Sequence, residues 1–92
     1  MIRLSTDAVR DVERLRTFLD QNNPDVTQRA LARIWMAIEQ LQEFPALGMP
    51  TKDATVRQIV IRFGTSGYIV RYVAEVNDIV ITRIWHGREA RV

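Results

Sequence analysis

Apolar residues recur at helical spacing through the first 41 positions and at strand spacing through positions 56–86, so the chain changes character near its middle. Ala8, Val12, Leu15 and Leu19 follow one another at intervals of four, three and four, with Phe18 beside them. This predicts a helix with one face for burial, whose polar side is Arg10, Glu13, Arg14, Thr17 and Asp20. Ser5 or Thr6 is placed to cap it. Gln21-Asn22-Asn23-Pro24 ends that helix and begins another. Asn23 suits the cap, Pro24 suits the first helical position because its missing N–H would be unpaired there, and Asp25 favours the positive helix end. Leu31, Ile34, Ile38 and Leu41 then mark a second buried face, with Trp35 widening it. Residues 44–50 contain two prolines and a glycine and break the pattern.

Three strand runs follow, at about 56–63, 68–75 and 79–86, joined by Gly64-Thr65-Ser66-Gly67 and by Val76-Asn77-Asp78. Short connections make an antiparallel meander the economical topology. Residues 2–4 add a short strand, since a β-prone start needs a partner and the sheet offers an edge. The expected fold is α+β, a single domain over 1–92: a short N-terminal strand and a two-helix hairpin packed on a three- to four-stranded antiparallel sheet. The strand faces mix polarity. Strict alternation places Arg57 with Ile59, Ile61 and Phe63, and places Arg83 and Trp85 with Ile79 and Ile81. Such mixing suggests one sheet face on the helices and the other partly covered by a partner.

Composition narrows the chemistry. The chain has no cysteine, which excludes disulfides, thiolate metal sites and a cysteine nucleophile. No leader-like apolar run opens it and no stretch is long enough to cross a bilayer, so the expected compartment is the cytoplasm, with no membrane partner. Residues 1–56 hold seven cationic against eight acidic residues, for a net of −1; residues 57–92 hold six against three, for +3. The basic end is the strand end. Twelve of the thirteen cations are arginine, which favours fixed, forked contacts with carboxylate or phosphate, although a net charge of +2 does not itself demand nucleic acid. No His or carboxylate cluster stands at ligand spacing, and no metal or cofactor is expected.

Tyr68, Tyr72, Ile81, Arg83, Ile84, His86, Gly87 and Arg88 occupy the positions of a Y-x-x-x-Y strand followed by an I-x-R-[IV]-x-H-[GR]-R strand. This run resembles the closing strands of the RelE/ParE superfamily of toxins from bacterial type II toxin–antitoxin modules. The resemblance extends to Ser5 before the first helix, to Asn23-Pro24, to Leu41-Gln42-Glu43-Phe44-Pro45-Ala46-Leu47-Gly48 (L-x-x-F-P-x-L-G) and to Val56-Arg57-Gln58-Ile59 ([VL]-R-x-[LI]). It implies growth arrest or plasmid stabilisation, and neutralisation by a cognate antitoxin.

Two branches imply different chemistry. RelE-like members resemble ribosome-dependent, metal-independent ribonucleases acting on messenger RNA, and would use Arg62, Arg71 and Arg83 as cations around the phosphate and His86 for proton exchange. The single lysine, Lys52, and the ending Gly-Arg-Glu-Ala-Arg-Val depart from that branch, which has a lysine cluster and in many members a terminal aromatic. His86-Gly87-Arg88 looks more like ParE members, which inhibit DNA gyrase and cut nothing. On that reading the partner-binding candidates are Arg57, Arg71, Arg83, Trp85, His86 and Arg88, and DNA is met only through gyrase or the antitoxin. A structural hydrogen bond at the strand end stands beside partner contact and acid–base work as a role for His86. Core packing stands beside base stacking for Tyr68 and Tyr72, and for Trp85 beside anchoring of a protein partner.

Overall fold

Ser5 decides where the first helix begins. In the structure, a computed structural model that describes residues 1–89 apart from the side chain of Asn22, its Oγ accepts from Ala8 N at 3.0 Å and caps α1 (Thr6–Asn22). The same residue ties the helix to the sheet, because Ser5 N donates to Ile81 O and Ser5 Oγ to Thr82 O. Before it lies β1 (Ile2–Leu4), and after it α2 (Pro24–Gln40), β2 (Met49–Pro50), β3 (Arg57–Phe63), β4 (Ser66–Ala74) and β5 (Ile79–His86).

The helices form the expected hairpin, with two differences. Asn23 stands at the N-cap of α2 with Pro24 in the first turn, but its side chain makes no capping bond; Thr27 Oγ1 instead reaches back to Asp20 Oδ1 at 2.7 Å. The buried face of α2 runs through Thr27, Ala30, Ile34, Ala37 and Ile38, with Leu31 half-buried and Trp35 exposed. Alanines at 30 and 37 take buried positions, and Trp35 lies on the outward arc instead of widening the core.

The sheet has five strands in the order β1-β5-β4-β3-β2, not three to four, and it is mixed because β1 pairs parallel to β5. The unexpected strand is β2. Gly48 makes it possible: a Cβ there would stand 2.7 Å from the Tyr72 ring and 3.0 Å from Gln58 O, so only glycine lets the chain pass and pair Met49 with Gln58. Pro50 is tolerated because an edge strand needs no outward N–H. The β3–β4 turn is also tighter than expected, closing over Gly64-Thr65 with Gly64 at φ 60°, a left-handed conformation that glycine adopts freely.

A bulge corrects the expected face of β5. Arg71 pairs with Arg83 but the next residue, Tyr72, pairs with Ile81, leaving Thr82 as the extra residue. One inserted residue reverses the alternation beyond it. Ile79 and Ile81 therefore share the helix-facing side with Ile84 and His86, whereas Arg83 and Trp85 turn to the opposite face. The core forms between Ala8, Leu15, Leu19, Ala30, Ile34, Ile38 and Leu41 on the helix side and Ile61, Tyr68, Val70, Tyr72, Ile79, Ile81 and Ile84 on the sheet.

Candidate functional site

The bulge brings two arginines together on the sheet face that the helices leave open. Arg71 and Arg83 are directly opposite on neighbouring antiparallel strands, an arrangement that destabilises a sheet when both residues carry the same charge. Each is held from behind. Arg71 Nε donates to Gln58 Oε1 at 3.0 Å, and its guanidinium lies 5.0 Å from the ring centroid of Trp85, a cation–π contact. Arg83 reaches round the sheet edge to Asp11, with Nε 2.8 Å from Oδ2 and Nη2 3.2 Å from Oδ1. Both arginines line an open groove of about 880 Å³, with Gln58 and Thr82 on its floor and residues 49–53 along one wall.

Asp11 is the residue that sequence reasoning underrated. Spacing alone makes it an exposed helix partner of Arg14, yet it is 1% exposed and occupies the inward stripe between Ala8 and Leu15. The available signal was a carboxylate at i+3 from one buried position and i−4 from the next. Because β1 ends at Leu4, the edge of β5 beyond Ile81 has no neighbouring strand, and side chains of α1 and of Glu89 fill it. Asp11 Oδ2 accepts from Ile84 N at 2.8 Å, Arg14 Nη2 donates to Ile84 O at 3.0 Å, and Glu89 Oε1 accepts from His86 N at 2.7 Å. Arg14 also joins the two carboxylates, bonding to Asp11 and to Glu89. Burial acts to raise both carboxyls, but bonds from Arg83, Arg14 and the Ile84 amide hold Asp11 below the ordinary value, and Arg14 with the His86 amide does the same for Glu89.

His86 faces the other way, into the helix side. It is 4% exposed, with ring centroids of Phe18 and Tyr68 each 5.1 Å away, and Nδ1 accepts from the Arg88 amide at 2.9 Å. Burial, helped by the Arg88 charge, lowers its pKa, and the bond accepted at Nδ1 leaves the ring proton on Nε2. It lines a separate cavity of about 420 Å³ with Arg88, Phe63 and Val26.

The remaining candidates are dispersed. Arg57 stays on the helix side, where Nη1 donates to Gly48 O at 2.7 Å. With Tyr72, whose hydroxyl donates to Pro45 O at 2.7 Å and accepts from Gly48 N at 2.8 Å, it clamps the 45–48 loop. Arg62 is exposed beside the β3–β4 turn, opposite Gly67. Trp85 is buried and serves as the floor beneath Arg71. The fold thus gathers Arg71, Arg83 and Trp85, sets His86 and Arg88 on the far side, and leaves Arg57 and Arg62 apart. Tyr68 and Tyr72 are core residues.

A helical hairpin on this mixed sheet is the architecture of a small toxin fold. It superposes with a TM-score of 0.76 on a chain of the chromosomal ParDE TA system from P. aeruginosa, over 92% of each chain and at 17% sequence identity. The family follows from the sequence: residues 2–91 match the model of the ParE toxin of type II toxin-antitoxin system, parDE, and the chain belongs to that family. Among curated proteins it is 36% identical to Toxin RelE1 of Caulobacter vibrioides, over 98% of this chain and 96% of that one. It is 33% identical to Toxin RelE3 of the same organism, over 98% and 97%, and 28% identical to the putative toxin Y4kP of Sinorhizobium fredii, over 96% and 88%. The protein is a toxin component of a type II module, and a cognate antitoxin is its partner. Among the described residues, no helix is long and apolar enough to cross a membrane.

Proposed function

We propose that this toxin arrests growth by binding its target, as ParE members that inhibit DNA gyrase do, and that it acts in the cytoplasm without cutting RNA. The observation that carries the reading is the placement of His86. The chain's sole histidine is enclosed by Phe18 and Tyr68, uses Nδ1 for the Arg88 amide, and lies on the sheet face opposite Arg62 and Arg83. A ribonuclease on this fold needs its proton carrier and its cations on one side of the scissile phosphate. Here Arg62, Arg71 and Arg83 are separated from His86 by the thickness of the sheet, and Arg88 shares its side. The partner-binding surface is the open face around Arg71 and Arg83, with Trp85 as support. An acidic, amphipathic antitoxin segment would match its charge and quench it by folding over it.

Two Caulobacter relatives carry the RelE name, so ribosome-dependent cleavage is the reading to be separated. Purified toxin is added to a gyrase supercoiling reaction and to a translating-ribosome reaction with labelled message. Lost supercoiling with intact message is the expected pair of outcomes. Normal supercoiling with cut message refutes the reading.

A further inference from the structure

The two core tyrosines of β4 differ at one atom. The Tyr72 hydroxyl is used twice, accepting from Gly48 N and donating to Pro45 O. The Tyr68 hydroxyl, in a residue 1% exposed, makes no hydrogen bond among the described residues, and neither does Nε2 of His86 directly opposite on β5. No side-chain nitrogen or oxygen among the described residues is both sealed from solvent and unpaired, so these two atoms open onto free space. That space is the cavity of about 420 Å³ that both residues line. Leu19, Tyr68 and His86 form its buried floor, and Phe18, Val26 and Phe63 its half-buried walls. Arg88 stands exposed at the rim, close enough for its charge to act on the His86 ring. Among the described residues lining the cavity there is no acid.

We infer that this cavity binds a small aromatic carboxylate, its ring held between Phe18, Val26 and Phe63 and its carboxylate facing the Tyr68 hydroxyl, Nε2 of His86 and the Arg88 guanidinium. An apolar hollow of this size with a few converging polar groups is the usual build of a small-molecule site. The ligand's chemistry follows from what the walls offer and lack. Nε2 carries the His86 ring proton, because Nδ1 already accepts from the Arg88 amide, and burial raises the Tyr68 pKa, which keeps that hydroxyl a donor. Two donors beside a cation, with no acid among them, call for an anionic acceptor. A water would serve the donors but leave the apolar walls uncovered. A flat ring covers them and meets Phe18 and Phe63 in the offset or edge-on geometries that aromatic groups favour. The cavity lies on the helix side of the sheet, away from Arg71 and Arg83, so the inference stands apart from which target is inhibited.

The test titrates phenylacetate into the full chain, following the His86 ring signals by NMR and the affinity by calorimetry. Acetate supplies the charge without the ring, and benzyl alcohol the ring without the charge. Tyr68→Phe removes only a hydroxyl that has no bonded partner among the described residues, so it should melt with the wild type while binding phenylacetate about tenfold more weakly. Arg88→Gln should weaken binding about threefold, as loss of an exposed ion pair does. Val26→Trp fills the cavity and should abolish binding, whereas Arg10→Gln, at an exposed helix position, should leave it unchanged. Four results would each overturn the inference: no saturable shift of the His86 signals by phenylacetate, acetate or benzyl alcohol binding as tightly as phenylacetate, undiminished affinity in Tyr68→Phe, or binding retained by folded Val26→Trp.

Discussion

Replacing Asp11 by alanine tests the physical core of this molecule most directly. The carboxylate is almost fully buried and receives Arg83 through two bonds, Arg14 through one, and the Ile84 amide at 2.8 Å. Removing it strands the Arg83 guanidinium, takes one partner from Arg14, which keeps Glu89 and Ile84 O, and leaves a backbone N–H at an unpaired sheet edge. Loss of one partner from a buried ion pair costs about 3–5 kcal/mol. The arginine side chains here are 42% and 40% exposed and can rehydrate, which places the expectation at the lower end, about 3 kcal/mol. A 92-residue domain has a total stability of roughly 5–14 kcal/mol, so the loss is a large share of it. It corresponds to a fall in Tm of about 12–24 °C. Urea unfolding followed by tryptophan fluorescence measures it. D11N should fall between wild type and D11A, because its amide oxygen still accepts from Ile84 N while the charge is gone. In a double-mutant cycle, D11A and R83Q should be non-additive by more than about 0.5 kcal/mol. A loss under about 1 kcal/mol for D11A, or simple additivity with R83Q, would refute the claim that this carboxylate organises the β5 edge.

The remaining predictions concern the loop clamp, pH and the histidine. Tyr72→Phe deletes a hydroxyl that accepts from Gly48 N and donates to Pro45 O, and should cost about 2 kcal/mol in chemical unfolding. Gly48→Ala sets a methyl against the same ring and against backbone, and should cost about 1–3 kcal/mol; a neutral result would mean that the loop is not pinned there. Stability should fall with pH in two steps. His86 is depressed in the folded state, so its contribution is complete above the ordinary value of 6.5 and declines as pH drops from there toward its folded pKa. Asp11 and Glu89 are also depressed, so their contribution is present above ordinary carboxyl values near 4 and is lost as pH falls through their lower folded values. His86→Gln should abolish the upper step, read from melting temperatures at a series of pH values, and persistence of that step assigns it elsewhere. The folded fraction of His86→Gln should keep full activity on its target, and loss of activity at matched stability would restore an acid–base role.

Much of the fold was legible because local patterns act over short distances. Helical spacing, the Ser5 cap, the Asn23-Pro24 junction and the alternation of β3 and β4 depend on neighbours within a few residues. Two misreadings share a different cause. Met49-Pro50 has no strand signature and pairs only because Gly48 passes over the Tyr72 ring, 24 positions away in sequence. Trp35 reads as core, yet which arc of α2 is buried is set by how the helix packs on α1 and β3, and that arc excludes Trp35.

The candidate site divides along the same line. Residue types and order alone determined that this chain is a cysteine-free α+β toxin with an arginine-rich closing hairpin. Which arginines stand together was decided only in three dimensions. The Thr82 bulge reverses the face of every later β5 residue, setting Arg83 beside Arg71 and turning His86 toward Phe18. Asp11 acquires its role because β1 stops after three residues, leaving backbone groups of β5, Ile84 N among them, that side chains satisfy in place of a strand. Strand phase and edge satisfaction are properties of paired chains, and no single run of residues contains them.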